Sequence, residues 1–151
     1  MVAFVRPDAW NFPLLVHVLG AMVMVGALLL AVSALAFAWR AGSPALVRLG
    51  YRALLFGALP GWIVMRAGAE WIASKESLTN SNFAWINIGF TTSDAGLVVI
   101  VGSAVLAGLA LRRAVRGGAD GGGLRWAATV LVGLLIVAYV VTIWAMTKKP
   151  I

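Results

Sequence analysis

The run from Pro13 to Ala38, PLLVHVLGAMVMVGALLLAVSALAFA, decides the architecture. It carries no Asp, Glu, Lys or Arg, and His17 and Ser33 are its polar side chains. A bilayer core is about 30 Å thick, so a spanning helix needs roughly 20 apolar residues. Inside lipid every backbone N–H and C=O must be paired, and a barrel strand would alternate apolar with polar residues. This run is continuous, so it reads as a helix. Three more stretches have the same character, at about 53–72, 95–111 and 126–146. Ala36-Phe37-Ala38 has the form of a signal-peptide cleavage site. The apolar run ahead of it is longer than an h-region of about 7–15 residues, so the first helix is expected to be retained.

Composition agrees across the 151 residues. Hydrophobic side chains make up 62%, and only 12 Lys and Arg stand against 5 Asp and Glu. Mean hydropathy is +0.98. A soluble domain of this length exposes too much surface for such a composition, which excludes a water-soluble enzyme. The absence of Cys excludes disulfides, thiolate zinc sites, iron–sulfur clusters and a cysteine nucleophile. A single His excludes a multi-histidine metal cage or a bis-histidine haem within one chain. No metal site is expected.

Basic residues near the helix ends set the orientation. Arg40, Arg48 and Arg52 follow the first span; Arg112, Arg113, Arg116 and Arg125 lie between the third and fourth. The other side has Arg6, Lys75, Lys148 and Lys149, with Asp8, Glu70, Glu76 and Asp94 among them. The arginine-rich side is therefore expected to be cytoplasmic, with both termini outside the inner (plasma) membrane. Trp10, Trp71, Trp85 and Trp144 mark the outer interface, and Trp39, Tyr51 and Trp126 the inner one. The same rule accounts for the net charge of +7 without nucleic acid, and the aromatic-basic interleaving of single-strand binders is missing.

Ala41-Gly42-Ser43-Pro44 is a tight turn, so the first two spans are expected to be antiparallel. The glycine tract 117–123 lacks the preceding strand and following Lys-Ser/Thr of a phosphate-binding loop and reads as a flexible turn. Between Ser74 and Ser93, Phe83, Trp85, Ile86 and Phe90 predict a segment lying in the outer headgroup region, with Ser93 or Asp94 capping the third span. Glycines at 20/96, 26/102, 42/118 and 57/133 recur at an offset of 76, suggesting a duplicated hairpin. Gly57 with Gly61, and Ala104 with Gly108, are small pairs that let helices approach closely. Pro60 is expected to kink the second span.

Ionisable groups within a membrane are functional candidates. His17, Arg66, Glu70 and Asp94 all fall at the outer-leaflet level, where they are expected to line one polar pocket beneath Trp85. Arg66 and Glu70 share a helix face at i, i+4. Their structural roles are as plain: a snorkelling ion pair, an N-cap at Asp94, and an inter-helix hydrogen bond at His17. A haem iron could be held by His17 with Met22, Met24 or Met65, although Met is also a common filler of apolar helices. No span has a mid-depth Lys for a retinal Schiff base.

The segment Leu14-Leu15-Val16-His17-Val18-Leu19-Gly20-Ala21, with Gly26 following, resembles the first helix of small bacterial membrane proteins grouped only as a domain of unknown function. It is also similar to first helices of copper-resistance-D-like proteins and membrane protoporphyrinogen oxidases, which carry a His near that place. Leu59-Pro60-Gly61 with Met65-Arg66-Ala67-Gly68-Ala69-Glu70-Trp71 resembles the first group. The likeness covers the first half of the chain. It implies a fold and a membrane address with no reaction attached, because the further His, Arg, Lys or Met positions of the redox families are not matched. Low Lys with high Ala, Gly and Arg usage points to a bacterium with a GC-rich genome.

The sequence therefore predicts an all-α, polytopic membrane four-helix bundle of two antiparallel hairpins in a single domain. The expected function is that of a non-enzymatic accessory or assembly subunit, self-associating or part of a larger membrane complex. Its outer-leaflet pocket would take a partner or a lipid-like ligand. The alternatives are a haem- or quinone-handling redox protein centred on His17 and Arg66, and a small transporter or channel. No span shows the continuous polar stripe a pore needs.

Overall fold

The computed structural model describes residues 11–75, 84–116 and 122–148, the side chains of 84–86 and 145–148 excepted. Expectations resting on Arg6, Asp8, Trp10, Glu76, Phe83 and Lys149, and on the side chain of Trp85, lie outside the described residues. Within them the chain is helical and no strand occurs. Helix α1 spans Asn11–Ala41. Helix α2, Pro44–Ala53, passes through a π-helical turn at Leu54–Ala58 into α3, Leu59–Lys75, without a break. Helices α4, Ala84–Val115, and α5, Gly122–Lys148, complete the order.

Three helical stretches are long and apolar enough to cross a membrane: Asn11–Ala41, Asn87–Val115 and Gly122–Trp144. Only 22–33% of their most apolar windows is buried inside the molecule. Most of that apolar surface faces outward, as with Met22 at 66%, Val98 at 72% and Leu134 at 62% exposure. Contiguous outward apolar area on this scale marks contact with a membrane or partner.

Helix α1 stops where the turn residues dictate. Gly42 adopts a positive φ of 60° and its N–H returns to the Ala38 carbonyl at 2.9 Å, a left-handed helix end that glycine takes without Cβ strain. Ser43 is extended, as a residue before proline prefers, and Pro44 opens α2 where no N–H is needed. Helix thus begins at 44, earlier than the expected 53, because Pro44–Arg52 carries arginines that lower its hydropathy without lowering its helicity. Proline acts further along. Pro60 has no N–H for the Phe56 carbonyl and its ring would crowd it. The preceding turn widens, and the Leu59 N–H bonds Leu54 rather than Leu55.

Of the outer segment expected between 74 and 93, residues 76–83 lie outside the described residues, and the expected capping at Ser93 or Asp94 needs correction. Residues 84–93 are the opening turns of α4, continuous with its apolar length. Asp94 lies ten residues after Ala84 (94 − 84) and caps nothing. Contacts of Ser93, Asp94 and Phe90 with α3 hold these polar turns in helix.

The core runs between α1, the π turn, α4 and α5, with Leu28, Leu35, Leu54, Ile100 and Val132 fully or almost fully buried. Close approach to α1 occurs through glycine. A Cβ added to Gly50 would meet the Leu35 side chain at 2.8 Å, one on Gly57 the Ala27 Cβ at 2.6 Å, and one on Gly61 the Met24 backbone N at 2.7 Å. A Cβ on Gly68 would meet the backbone N of His17 at 2.5 Å. As the position along 44–75 rises from 50 to 68, the position met on α1 falls from 35 to 17. Gly20 abuts the Met65 backbone in the same register. Of the other small pair, Ala104 is buried and Gly108 lies beneath the Tyr51 ring.

Candidate functional site

Trp62, Arg66 and Glu70 are spaced four apart on α3 and form one stripe. Opposite them on α4 lie Phe90, Ser93 and Asp94. The Trp62 indole N–H donates to the Ser93 carbonyl at 2.8 Å and joins the two helices. Arg66 Nη2 reaches Glu70 Oε1 at 3.2 Å and Asp94 Oδ1 at 3.4 Å, and the guanidinium carbon stands 4.3 Å over the Phe90 ring. The Arg66 side chain is 21% exposed, whereas Glu70 and Asp94 are 63% and 60% exposed. The arginine is the buried centre of the cluster and the carboxylates its rim. One positive and two negative charges leave the rim negative.

Arg66 Nη1 and Ser93 Oγ, on the two sides of this contact, are buried without a hydrogen-bond partner, and so is Tyr139 Oη on α5. The Tyr139 hydroxyl abuts Gly96, three residues beyond Ser93 on α4. Buried polar groups are normally paired. Their joint occurrence, beside two exposed carboxylates, gives this seam spare donors and a charged rim.

His17 is placed elsewhere. Its Nδ1 lies 2.9 Å from the Met65 carbonyl. A carbonyl only accepts, so Nδ1 is the donor of this bond. Met65 and Gly68 belong to the α1-facing side of α3, roughly 100–160° around the helix from Arg66 at about 100° per residue. The single polar pocket expected from the sequence is therefore divided: Arg66, Glu70 and Asp94 come together, and His17 sits across α3 from them. Trp85 opens α4 in its backbone only, as far as the described residues go. Of the methionines considered with His17, Met24 is buried against Gly61, Met65 is buried, and Met22 points outward. No group of three His, Asp or Glu capable of holding a metal occurs among the described residues.

Sequence reasoning missed Trp62, Tyr139 and the cation–π role of Phe90. The i, i+4 spacing of Trp62 before Arg66 was a usable signal; nothing local announces Tyr139. No paired nucleophile and base occurs among the described residues of the seam. No family model, curated protein or solved structure matches the chain, so the first-helix likeness stands on its own residues.

Proposed function

We propose that the chain is a four-span inner-membrane protein, two antiparallel hairpins forming a bundle with both ends outside. It serves as a non-enzymatic accessory or assembly subunit, and the Arg66 seam receives a polar group from a partner helix or a lipid-like ligand. The falling register of α2–α3 along α1 supports a second crossing, since a rod lying beside a spanning helix over residues 17–35 shares its depth. The observation that carries the functional reading is the Arg66 guanidinium. It is largely buried, holds two exposed carboxylates with one nitrogen and leaves the other nitrogen unpartnered. In hydrocarbon such a donor is costly until something accepts from it.

A photo-reactive amino acid at Ala67 or Thr91, both exposed beside the seam, tests this in native membranes. One discrete adduct from these sites, lost with Arg66→Gln and absent from Leu49 at the other end, supports it. No adduct at the seam, or the same ladder from all three sites, overturns it.

One observation favours the redox alternative. Metal-bound imidazoles commonly donate their second ring N–H to a carbonyl, as His17 does to Met65. A Soret band abolished by His17→Ala supports haem at Nε2. Protein without visible absorbance from haem-replete cells removes that reading.

A further inference from the structure

A second cleft lies at the opposite end of the molecule. Between the π turn and α4 is a half-enclosed groove of about 390 Å³, within the range of roughly 300–1,000 Å³ typical of small-molecule sites. Leu54, Leu55, Leu59, Ile100, Val101 and Val105 form its apolar length, and Tyr51 and Arg112 are the polar members of its lining. The polar pair stands at the arginine-rich end, and the lining then runs inward from 112 to 100 along α4. That is about 18 Å at 1.5 Å per residue, slightly more than half a hydrocarbon core of about 30 Å. Two features open it: the widened turn before Pro60, and Ala104 and Gly108 in place of larger side chains.

Charge selects the occupant. Arg48, Arg52 and Arg112 are exposed and have no acidic partner among the described residues, whose acids, Glu70 and Asp94, lie at the other end. We propose that this groove holds one acyl chain of an anionic phospholipid, with the phosphate on Arg112. A guanidinium matches phosphate with paired donors, and basic pockets between spans at the cytoplasmic headgroup level are suited to acidic lipids. The apolar length distinguishes such a lipid from free phosphate. This site needs the bilayer but not the Arg66 seam, so its failure leaves the seam standing.

The chain, purified in nanodiscs of equal phosphatidylglycerol and phosphatidylcholine, is released for native mass spectrometry to count retained lipid. The wild type is expected to keep one phosphatidylglycerol per chain, and tens of millimolar inorganic phosphate should not displace it. Arg112→Gln should weaken retention about fivefold, in keeping with the loss of one basic side chain near a headgroup. Val105→Trp, on the exposed rim, should exclude the lipid, with Leu109→Trp as a second filling variant if the first loses helicity. Arg113→Gln, outside the lining, should leave retention unchanged. Equal retention of both lipids, displacement by phosphate, an equal loss with Arg113→Gln, or full retention in a folded filling variant each overturns the proposal.

Discussion

Arg66 shows how much one side chain can be asked to do at a helix–helix contact. Its ion pairs are with carboxylates more than half exposed. The i, i+4 pair with Glu70 should therefore couple by no more than about 0.5 kcal/mol. The Phe90 face is different, because the guanidinium of a side chain only 21% exposed lies over the ring at 4.3 Å, a geometry worth about 1 kcal/mol. Double-mutant cycles on unfolding in micelles, pairing Arg66→Gln with Phe90→Leu and with Glu70→Gln, are expected to show the larger coupling for Phe90. A dominant Glu70 coupling would make the cluster an ion pair with an incidental ring beside it. The sequence revealed the Arg66–Glu70 spacing but misassigned Asp94. Ser93-Asp94 before an apolar run has the chemistry of a helix start, and only contact with α3 shows why the helix continues through it. His17 was grouped with Arg66 by depth alone. Depth is legible from sequence number, while the face of a helix changes by about 100° with each residue.

At the scale of the element, the contact between α1 and α2–α3 is a seam of Gly50, Gly57, Gly61 and Gly68, of which the sequence singled out the middle pair by its four-residue spacing. The outer two belong to the same face but stand seven residues away, beyond the reach of a G-x-x-x-G pattern. In lipid no hydrophobic effect presses helices together, so backbone approach and van der Waals contact carry the association. Gly61→Ala would force its Cβ against the Met24 backbone, which cannot move aside as a side-chain tip can. A cost of about 1–3 kcal/mol follows, the range for overpacking. Gly26→Ala meets nothing within 4 Å and gains helix propensity, so it should be neutral or stabilising by up to about 1 kcal/mol. Midpoints of thermal unfolding in one detergent check the contrast. Similar losses from both substitutions would mean that glycine acts through something other than the close approach. The π turn was illegible for a related reason. Pro60 announced a disturbance, but whether a helix kinks or widens depends on what packs around it.

For the whole molecule, the apolar runs and the arginine distribution were readable because they answer to the solvent rather than to any neighbour. What hydropathy alone leaves open is whether residues 44–75 cross. Three crossings would place Ala41 and Val115 on opposite faces of the membrane; four place them on the same face, with Ser74 on the other. The register of α2–α3 along α1 argues for four, and so does charge. With four crossings Arg40, Arg48, Arg52, Arg112, Arg113, Arg116 and Arg125 share one side, whereas three would divide them between both. The chain has no Cys, so single-cysteine variants need no background removed. Ala41→Cys, Ser74→Cys and Val115→Cys each replace an exposed residue. With a membrane-impermeant maleimide applied from outside, Ser74→Cys should label at once, and the other two only after permeabilisation. Labelling of Val115→Cys with Ala41→Cys protected would return residues 44–75 to one side of the bilayer. The Asp94 end of α4, with the Arg66 seam, would then lie at the inner headgroup level and its Arg112 end at the outer one, so the two sites would exchange leaflets and the groove would lose the anionic leaflet proposed for it.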